Sequence, residues 1–83
     1  MRDLDLLTLR LFAAVCEQRS ITRVAEQESI VGSAISKRLA QLEDAVSTPL
    51  LVRKRRGVLP TPAGETLLEH ARTMRASVGQ IER

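Results

Sequence analysis

The segment from Val52 to Leu68, VRKRRGVLPTPAGETLL, constrains the fold of this chain more than any other part of the sequence. It contains two glycines and two prolines, and one continuous helix cannot pass through it because proline lacks the backbone N–H that a helix interior requires. Two very short apolar stretches, LLVR and GVLP, lie on either side of a cationic turn, in which Gly57 can adopt a positive φ angle. This pattern predicts a β-hairpin over about residues 51–60.

A long helix is predicted directly after the hairpin. Thr61 followed by Pro62 is typical of a helix start, since the threonine hydroxyl can cap the helix and proline fits its first position. The apolar residues that follow repeat at intervals of four, three, four and three: Leu67, Ala71, Met74, Val78 and Ile81. These five residues form a narrow apolar stripe, called the seam here, which favours pairing with a second helix over packing within the chain. A helix continuing to residue 83 would be about 33 Å long. Leu68 lies off the seam and is predicted to hold this helix on its own domain.

Three shorter helices are predicted upstream of the hairpin. The first spans about residues 6–18 behind Asp5, and the second spans about residues 21–28 behind Ser20, because both residues are good helix caps. The third is predicted to end at Pro49 and carries four apolar residues on one side: Ile35, Leu39, Leu42 and Val46.

The third helix has a second face that is small, polar and cationic. This polar face consists of Ser33, Ser36, Lys37 and Ala40, about 140° from the apolar stripe at 100° per residue. Short side chains let a helix backbone approach a partner closely, and the major groove of DNA is wide enough to admit a helix. An ordinary solvent-exposed face is the alternative, but the short capped helix before it and the cationic hairpin after it favour the groove.

Positive charge is concentrated late in the chain. The net charge is +3, yet residues 1–50 hold six basic and seven acidic side chains, whereas residues 51–83 hold seven basic and three acidic ones. The excess clusters in the hairpin at Arg53, Lys54, Arg55 and Arg56, which favours contact with a polyanion over a merely solvated turn. Phe12 is the one aromatic residue, so stacking on single-stranded bases is disfavoured and duplex DNA is the better target.

Composition excludes several other classes of protein. Eighty-three residues suffice for one small domain, which a second copy would help to stabilise. The sequence has no apolar run of membrane-spanning length, and its N-terminus does not resemble a secretory signal, so we expect no membrane partner and a cytoplasmic location. Cys16 is interpreted as a core residue and His70 as a solvated one, since neither has metal-ligating neighbours. No catalytic constellation is present, so an enzyme is not expected and no cofactor is expected in this chain.

Four stretches in order resemble the N-terminal DNA-binding region of LysR-type transcriptional regulators: LRLFAAVCEQRSITRVAE (9–26), AISKRLAQLE (34–43), PLLVR (49–53) and TPAGETLLEHAR (61–72). The resemblance implies a mainly α fold in which residues 4–61 form a winged helix-turn-helix, three helices plus a short β-hairpin wing. The helix-turn-helix motif would occupy about residues 21–40, and residues 62–83 would form a linker helix for dimerisation. It also implies a bacterial, nucleoid-associated protein, and a small-molecule effector bound by a larger domain absent here.

The resemblance implies two groups of DNA contacts. Gly32, Ser33, Ser36 and Lys37 would lie at the groove, with Thr22 and Arg23 near phosphates. The wing would contact the backbone or minor groove through Arg53, Lys54, Arg55 and Arg56.

This chain departs from the family pattern around its third helix. Val31 cannot cap that helix with its side chain, so Gly32 or Ser29 is predicted to do so. Gly32 also removes a side chain that can reach a base in relatives. Glu28 replaces a frequent leucine, which predicts a missing core contact or an early helix end, and Ser47 replaces a common helix-ending glycine.

The leading hypothesis is a dimeric, sequence-specific binder of double-stranded DNA that regulates transcription from an interrupted inverted repeat. A coiled-coil oligomerisation module is one alternative, and it would show no salt-dependent affinity for DNA. A non-specific nucleoid DNA-binding protein is another, and it would bind all duplexes equally.

Overall fold

The computed structural model describes residues 5–81, which form four helices and one antiparallel β-hairpin. In chain order the elements are α1 (Leu6–Gln18), α2 (Ile21–Glu28), α3 (Gly32–Val46), β1 (Leu51–Lys54), β2 (Gly57–Pro60) and α4 (Pro62–Ile81). The predicted fold class, a mainly α winged helix-turn-helix followed by a long helix, is confirmed. The predicted outer limits at residues 4 and 83 lie outside the described residues.

Caps at both ends define the first two helices. The Asp5 carboxylate accepts a hydrogen bond from the Thr8 N–H at 2.6 Å, and the Ser20 hydroxyl accepts one from the Arg23 N–H at 3.1 Å. Both predicted caps are confirmed. Each of the first three helices ends at a residue in the left-handed conformation. These residues are Arg19 (φ 57°) for α1, Ser29 (φ 56°) for α2 and Ser47 (φ 52°) for α3. Since this conformation disfavours residues with a Cβ, each position stores about 1 kcal/mol of strain.

The start of α3 differs from the prediction. Val31 is the N-cap residue and makes no side-chain cap hydrogen bond, while Gly32 is already helical and Ser29 ends the previous helix. The prediction of a cap at Gly32 or Ser29 was therefore wrong.

Glu28 ends α2, and its carboxylate pairs with Arg10 of α1 at 2.9 Å, so a surface ion pair connects the two helices. At the other end, α3 stops at Val46, before Pro49 is reached.

The core forms around α1, whose apolar side chains meet those of every other helix. The largest fully buried side chains are Phe12, Leu11, Val15, Val24, Ile35 and Leu42. Cys16 is buried among them, as predicted, and burial raises the pKa of its thiol to about 11. The thiol is therefore protonated at neutral pH and contributes to packing as a small apolar group.

Backbone contacts dock the start of α4 tightly on Leu50, the residue directly before the hairpin. The Thr61 N–H donates to the Leu50 carbonyl at 3.0 Å, and the Thr61 hydroxyl accepts from the Gly64 N–H at 3.0 Å, which confirms the predicted cap. A Cβ at Gly64 would clash with the Leu50 carbonyl oxygen, so only glycine permits this approach. Leu68 is buried, as predicted.

Ion pairs continue the contact between α1 and α4. Glu17 accepts from Arg72 at 3.2 Å and from Arg75 at 3.1 Å, and hydrogen bonding to Arg75 lowers the pKa of the Glu17 carboxyl. Beyond Arg75 the helix is largely exposed up to Ile81. None of the helices within residues 5–81 has the length and apolar character needed to cross a membrane.

Candidate nucleic-acid interface

The polar face of α3 is open to solvent. Ser33, Lys37 and Ala40 are exposed and Ser36 is half-buried, whereas Ile35 on the opposite side is fully buried. Among residues 5–81, no hydrogen bond or ion pair engages the Lys37 ammonium. The helix therefore presents a small, cationic surface whose lysine has no partner within the described part of the chain.

The start of α2 lies beside the start of α3. A Cβ built on Gly32 would lie 3.9 Å from Cγ2 of Ile21, which is ordinary van der Waals contact. Thr22 and Arg23, the next two residues of α2, are exposed. The helix-turn-helix thus places the predicted phosphate-contacting residues of α2 next to the leading end of α3.

The hairpin, called the wing here, extends from Leu51 to Pro60. Its strands pair Leu51 with Pro60, Val52 with Leu59, Arg53 with Val58 and Lys54 with Gly57. Its four predicted cations, Arg53, Lys54, Arg55 and Arg56, are all exposed. No acidic side chain of the described region pairs with them, so their charge is not neutralised within residues 5–81.

A groove brings the wing and α3 together. Its lining includes Ile21 from the start of α2, Ser36 from the polar face of α3 and Arg53 from the wing. Glu43 of α3 lines the same groove, and its carboxylate accepts from the Leu50 and Leu51 N–H groups at 2.7 and 3.2 Å, which anchors the first strand to α3. The polar face and the wing therefore form one continuous surface.

Arg19 is a cation beside the wing that the sequence analysis did not single out. Its carbonyl accepts a hydrogen bond from the Val58 N–H at 3.1 Å, and a Cβ on Gly57 would clash with that same carbonyl oxygen. Gly57 has φ +118°, the positive value predicted for it. Arg19 is exposed and precedes the cap of α2, so its position adds positive charge between the wing and α2. The sequence feature that could have identified Arg19 is a bulky cation at the end of a helix, where glycine is preferred.

Val31 is the second residue that the sequence analysis did not assign to the interface. It precedes the first turn of α3, and 71% of its surface is exposed. Its failure to cap α3 was recognised from the sequence, but its exposure depends on the tertiary packing around it.

The predicted seam of α4 is divided between the chain's own core and its surface. Ala71 is buried against α1, so the chain itself occupies that position, and Leu67 and Val78 are half-buried. Met74 is 40% exposed and Ile81 is 82% exposed. Ala71 is thus covered by its own chain, and Met74 and Ile81 are the members of the predicted seam with the most exposed surface.

An open apolar groove lies between α1 and α4. Leu6, Leu7 and Leu9 line one side, and Met74 and Val78 line the other. Leu6 is 55% exposed, so the free apolar surface includes the start of α1 as well as the second half of α4. The contribution of α1 was not predicted, because a helical pattern alone does not reveal which helices lie side by side.

Three helices, a cationic wing and an exposed polar face on the third helix define a winged helix-turn-helix module. Residues 6–65 match the model of bacterial regulatory helix-turn-helix proteins of the lysR family, and the chain belongs to this family. The predicted resemblance is thereby confirmed.

Curated relatives carry the same module at the sequence level. The HTH-type transcriptional regulator DgdR of Burkholderia cepacia is 41% identical over 70 residues, which cover 84% of this chain and 24% of the relative. The nitrogen assimilation regulatory protein nac of Klebsiella aerogenes is 39% identical over 71 residues, covering 86% of this chain and 23% of the relative. The chain thus spans about a quarter of the length of these relatives, and both are named as regulators rather than enzymes.

Solved structures of similar chains include complexes with DNA. The BenM DBD/catB site 1 DNA complex matches with a TM-score of 0.89 at 32% identity, covering 94% of this chain and 88% of that chain. The CbnR DBD–DNA complex matches with a TM-score of 0.87 at 28% identity, covering 95% and 91%.

Proposed function

We propose that this chain binds double-stranded DNA in a sequence-specific manner as a dimer and thereby regulates transcription. The observation that carries the proposal is the shared groove in which Ser36 of α3 and Arg53 of the wing lie together. A helix with a small polar face can enter a major groove, and a neighbouring cationic hairpin can then follow the phosphate backbone. The DNA complexes of similar domains support this proposal.

The two parts of the surface have different tasks in this proposal. Lys37 can donate to guanine O6 or N7, and Ser33 and Ser36 can pair with several bases or with phosphates. These contacts, with the close backbone approach at Gly32, supply sequence discrimination. Affinity for the phosphate backbone of the DNA comes from the exposed residues around them, which are Thr22, Arg23, Arg53, Lys54, Arg55 and Arg56.

Dimer formation is assigned to the second half of α4 together with the apolar groove. Met74, Val78 and Ile81 of one copy would pack against the same surface of the second copy, with Leu6 of α1 widening the contact. Two copies related by a twofold axis present two α3 helices, so their target is an interrupted inverted repeat with half-sites one or more helical turns apart.

Selection of bound duplexes from a random pool tests the proposal. We expect an inverted-repeat consensus, and an affinity for it that exceeds the affinity for a scrambled duplex and falls steeply with salt. Equal affinity for all duplexes would indicate a non-specific nucleoid protein instead. A chain that dimerises without salt-dependent DNA binding would be an oligomerisation module.

Arg55→Ala is expected to weaken binding to every duplex by a similar factor. The substitution removes one phosphate-neutralising charge, so the slope of log affinity against log salt should fall by about one. Fluorescence anisotropy titrations of the selected and scrambled duplexes at several salt concentrations measure both quantities.

Arg72→Ala is the matched control for Arg55→Ala. It also removes one arginine, but this arginine pairs with Glu17 at 3.2 Å where α1 meets α4, outside the proposed interface. An unchanged salt slope is expected for this control. If both variants changed the slope equally, net charge rather than a wing contact would explain the affinity.

Arg19→Gly is expected to affect folding and binding in opposite directions. Glycine accepts the left-handed conformation of this position without strain, so the free energy of unfolding should rise by about 1 kcal/mol. Loss of the guanidinium beside the wing should reduce the salt slope of DNA binding by about one. Chemical denaturation and anisotropy titrations measure the two effects.

Ser47→Gly relieves the same kind of backbone strain at the end of α3 without removing a charge. It should therefore stabilise the chain and leave the salt slope unchanged. DNA binding by Arg19→Gly that matched the wild type at all salt concentrations would remove Arg19 from the interface.

A further inference from the structure

We propose that Val31 determines sequence specificity by contacting the C5-methyl group of a thymine in the major groove. This inference rests on the proposed DNA-binding function and adds a recognition contact at the leading end of α3. It concerns an apolar contact, distinct from the hydrogen bonds assigned to Ser33, Ser36 and Lys37.

The position of Val31 leaves its side chain free while its backbone is fixed. Its carbonyl accepts hydrogen bonds from the Ala34 and Ile35 N–H groups at 3.0 and 3.2 Å. The isopropyl group makes no cap hydrogen bond and is 71% exposed, although valine is a residue that folding usually withdraws from water. Val31 is thus a rigidly placed apolar group on the surface.

This arrangement is unfavourable for an isolated helix. A serine, threonine, asparagine or aspartate at the N-cap would stabilise α3 by accepting a backbone hydrogen bond, and valine is among the weakest residues there. The two preceding helices, α1 and α2, both use polar caps, Asp5 and Ser20. The exposed valine at this cap is therefore available for a contact outside the chain.

The surroundings of Val31 identify the kind of contact. Gly32 contributes no side chain, and Ser33 is exposed and short, so the leading end of α3 has no long polar group that would hold the valine away from a partner. Residues at the start of a recognition helix are those that contact base edges. On the major-groove edges of the bases, the thymine C5-methyl is the apolar group, and aliphatic side chains are suited to contact it.

Deoxyuridine provides the test, because it differs from thymidine only by the absence of this methyl group. Each thymine of the selected inverted repeat is replaced in turn, symmetrically in both half-sites, and the dissociation constant is measured for the wild-type chain. One replacement should weaken binding by about fourfold per half-site, as expected for one methyl group withdrawn from water. The other replacements should have no comparable effect.

Val31→Ala should bind the thymidine and deoxyuridine duplexes with equal affinity. Alanine is as poor a cap as valine, so this change leaves the stability of α3 nearly unaltered, and a thermal melt confirms that the variant is folded. Val52→Ala is the matched control, because it makes the same substitution at another exposed valine to which no base contact is assigned, and it should keep the full difference between the two duplexes.

The outcomes separate this inference from the function on which it rests. Specific binding by the wild type with no deoxyuridine effect at any position would overturn the inference alone. A deoxyuridine effect of the same size in the wild type and in Val31→Ala would also overturn it, because another residue would then contact the methyl group. Absence of any sequence preference in the wild type would overturn the proposed function itself.

Discussion

Replacing Met74 and Val78 together by aspartate is expected to convert the proposed dimer into monomers and to reduce affinity for the selected inverted repeat by about 100-fold or more. Both side chains line the apolar groove, where two copies would bring four carboxylates together. The two arginines that also line it, Arg10 and Arg75, are already paired with Glu28 and Glu17. A monomer also loses the advantage of binding two half-sites at once. Sedimentation equilibrium measures the oligomeric state, and anisotropy titration measures the affinity.

Ala76→Asp combined with Gln80→Asp is the matched control for the Met74 and Val78 variant. It also introduces two aspartates four residues apart in the same exposed half of α4, on a side away from the predicted seam. This variant should remain dimeric. An unchanged dimer for the Met74 and Val78 variant would contradict the assignment of the interface to α4 and the apolar groove.

Gly64→Ala is expected to lower the free energy of unfolding by about 2 kcal/mol, which corresponds to about 8–16 °C in melting temperature for a domain of this size. The new Cβ would clash with the Leu50 carbonyl oxygen and crowd Pro60, and neither is the flexible end of a side chain. The first turn of α4 would therefore have to move away from Leu50, the residue directly before the wing. Thermal melts followed by circular dichroism measure the effect at one fixed protein concentration, because the proposed dimerisation would also contribute to stability.

Gly79→Ala is the control within the same helix. A Cβ at this position has no neighbouring atom within 4 Å, and alanine favours a helix over glycine by about 1 kcal/mol. The control should therefore be neutral or stabilising. Equal effects of the two substitutions would mean that the contact between Gly64 and Leu50 does not limit stability.

Features encoded locally were predictable from the sequence. Asp5, Ser20 and Thr61 cap their helices as predicted, because each cap bond spans only three residues. The hairpin was predictable for a similar reason, since Gly57 and the prolines restrict the backbone independently of the rest of the fold.

Features created by tertiary contacts were not predictable in the same way. A face of α4 needs apolar residues at helical spacing whether it is buried by α1 of the same chain or by a second copy. The seam pattern therefore could not show that Ala71 belongs to the core. The bond between the Val58 N–H and the Arg19 carbonyl joins two backbone groups and leaves no side-chain signature. Arg19 and Val31 were missed because their significance depends on which elements lie beside them.

The most direct test of the central claim, that the polar face of α3 recognises bases while the wing holds the backbone, is the discrimination ratio of Lys37→Ala. This ratio is the affinity for the selected inverted repeat divided by the affinity for a scrambled duplex, measured at one salt concentration. We expect Lys37→Ala to lower the ratio by about tenfold, because in the proposed complex the lysine ammonium would donate to base edges that only the specific sequence presents at this position. Equal reductions of affinity on both duplexes would leave the ratio unchanged and would contradict the claim.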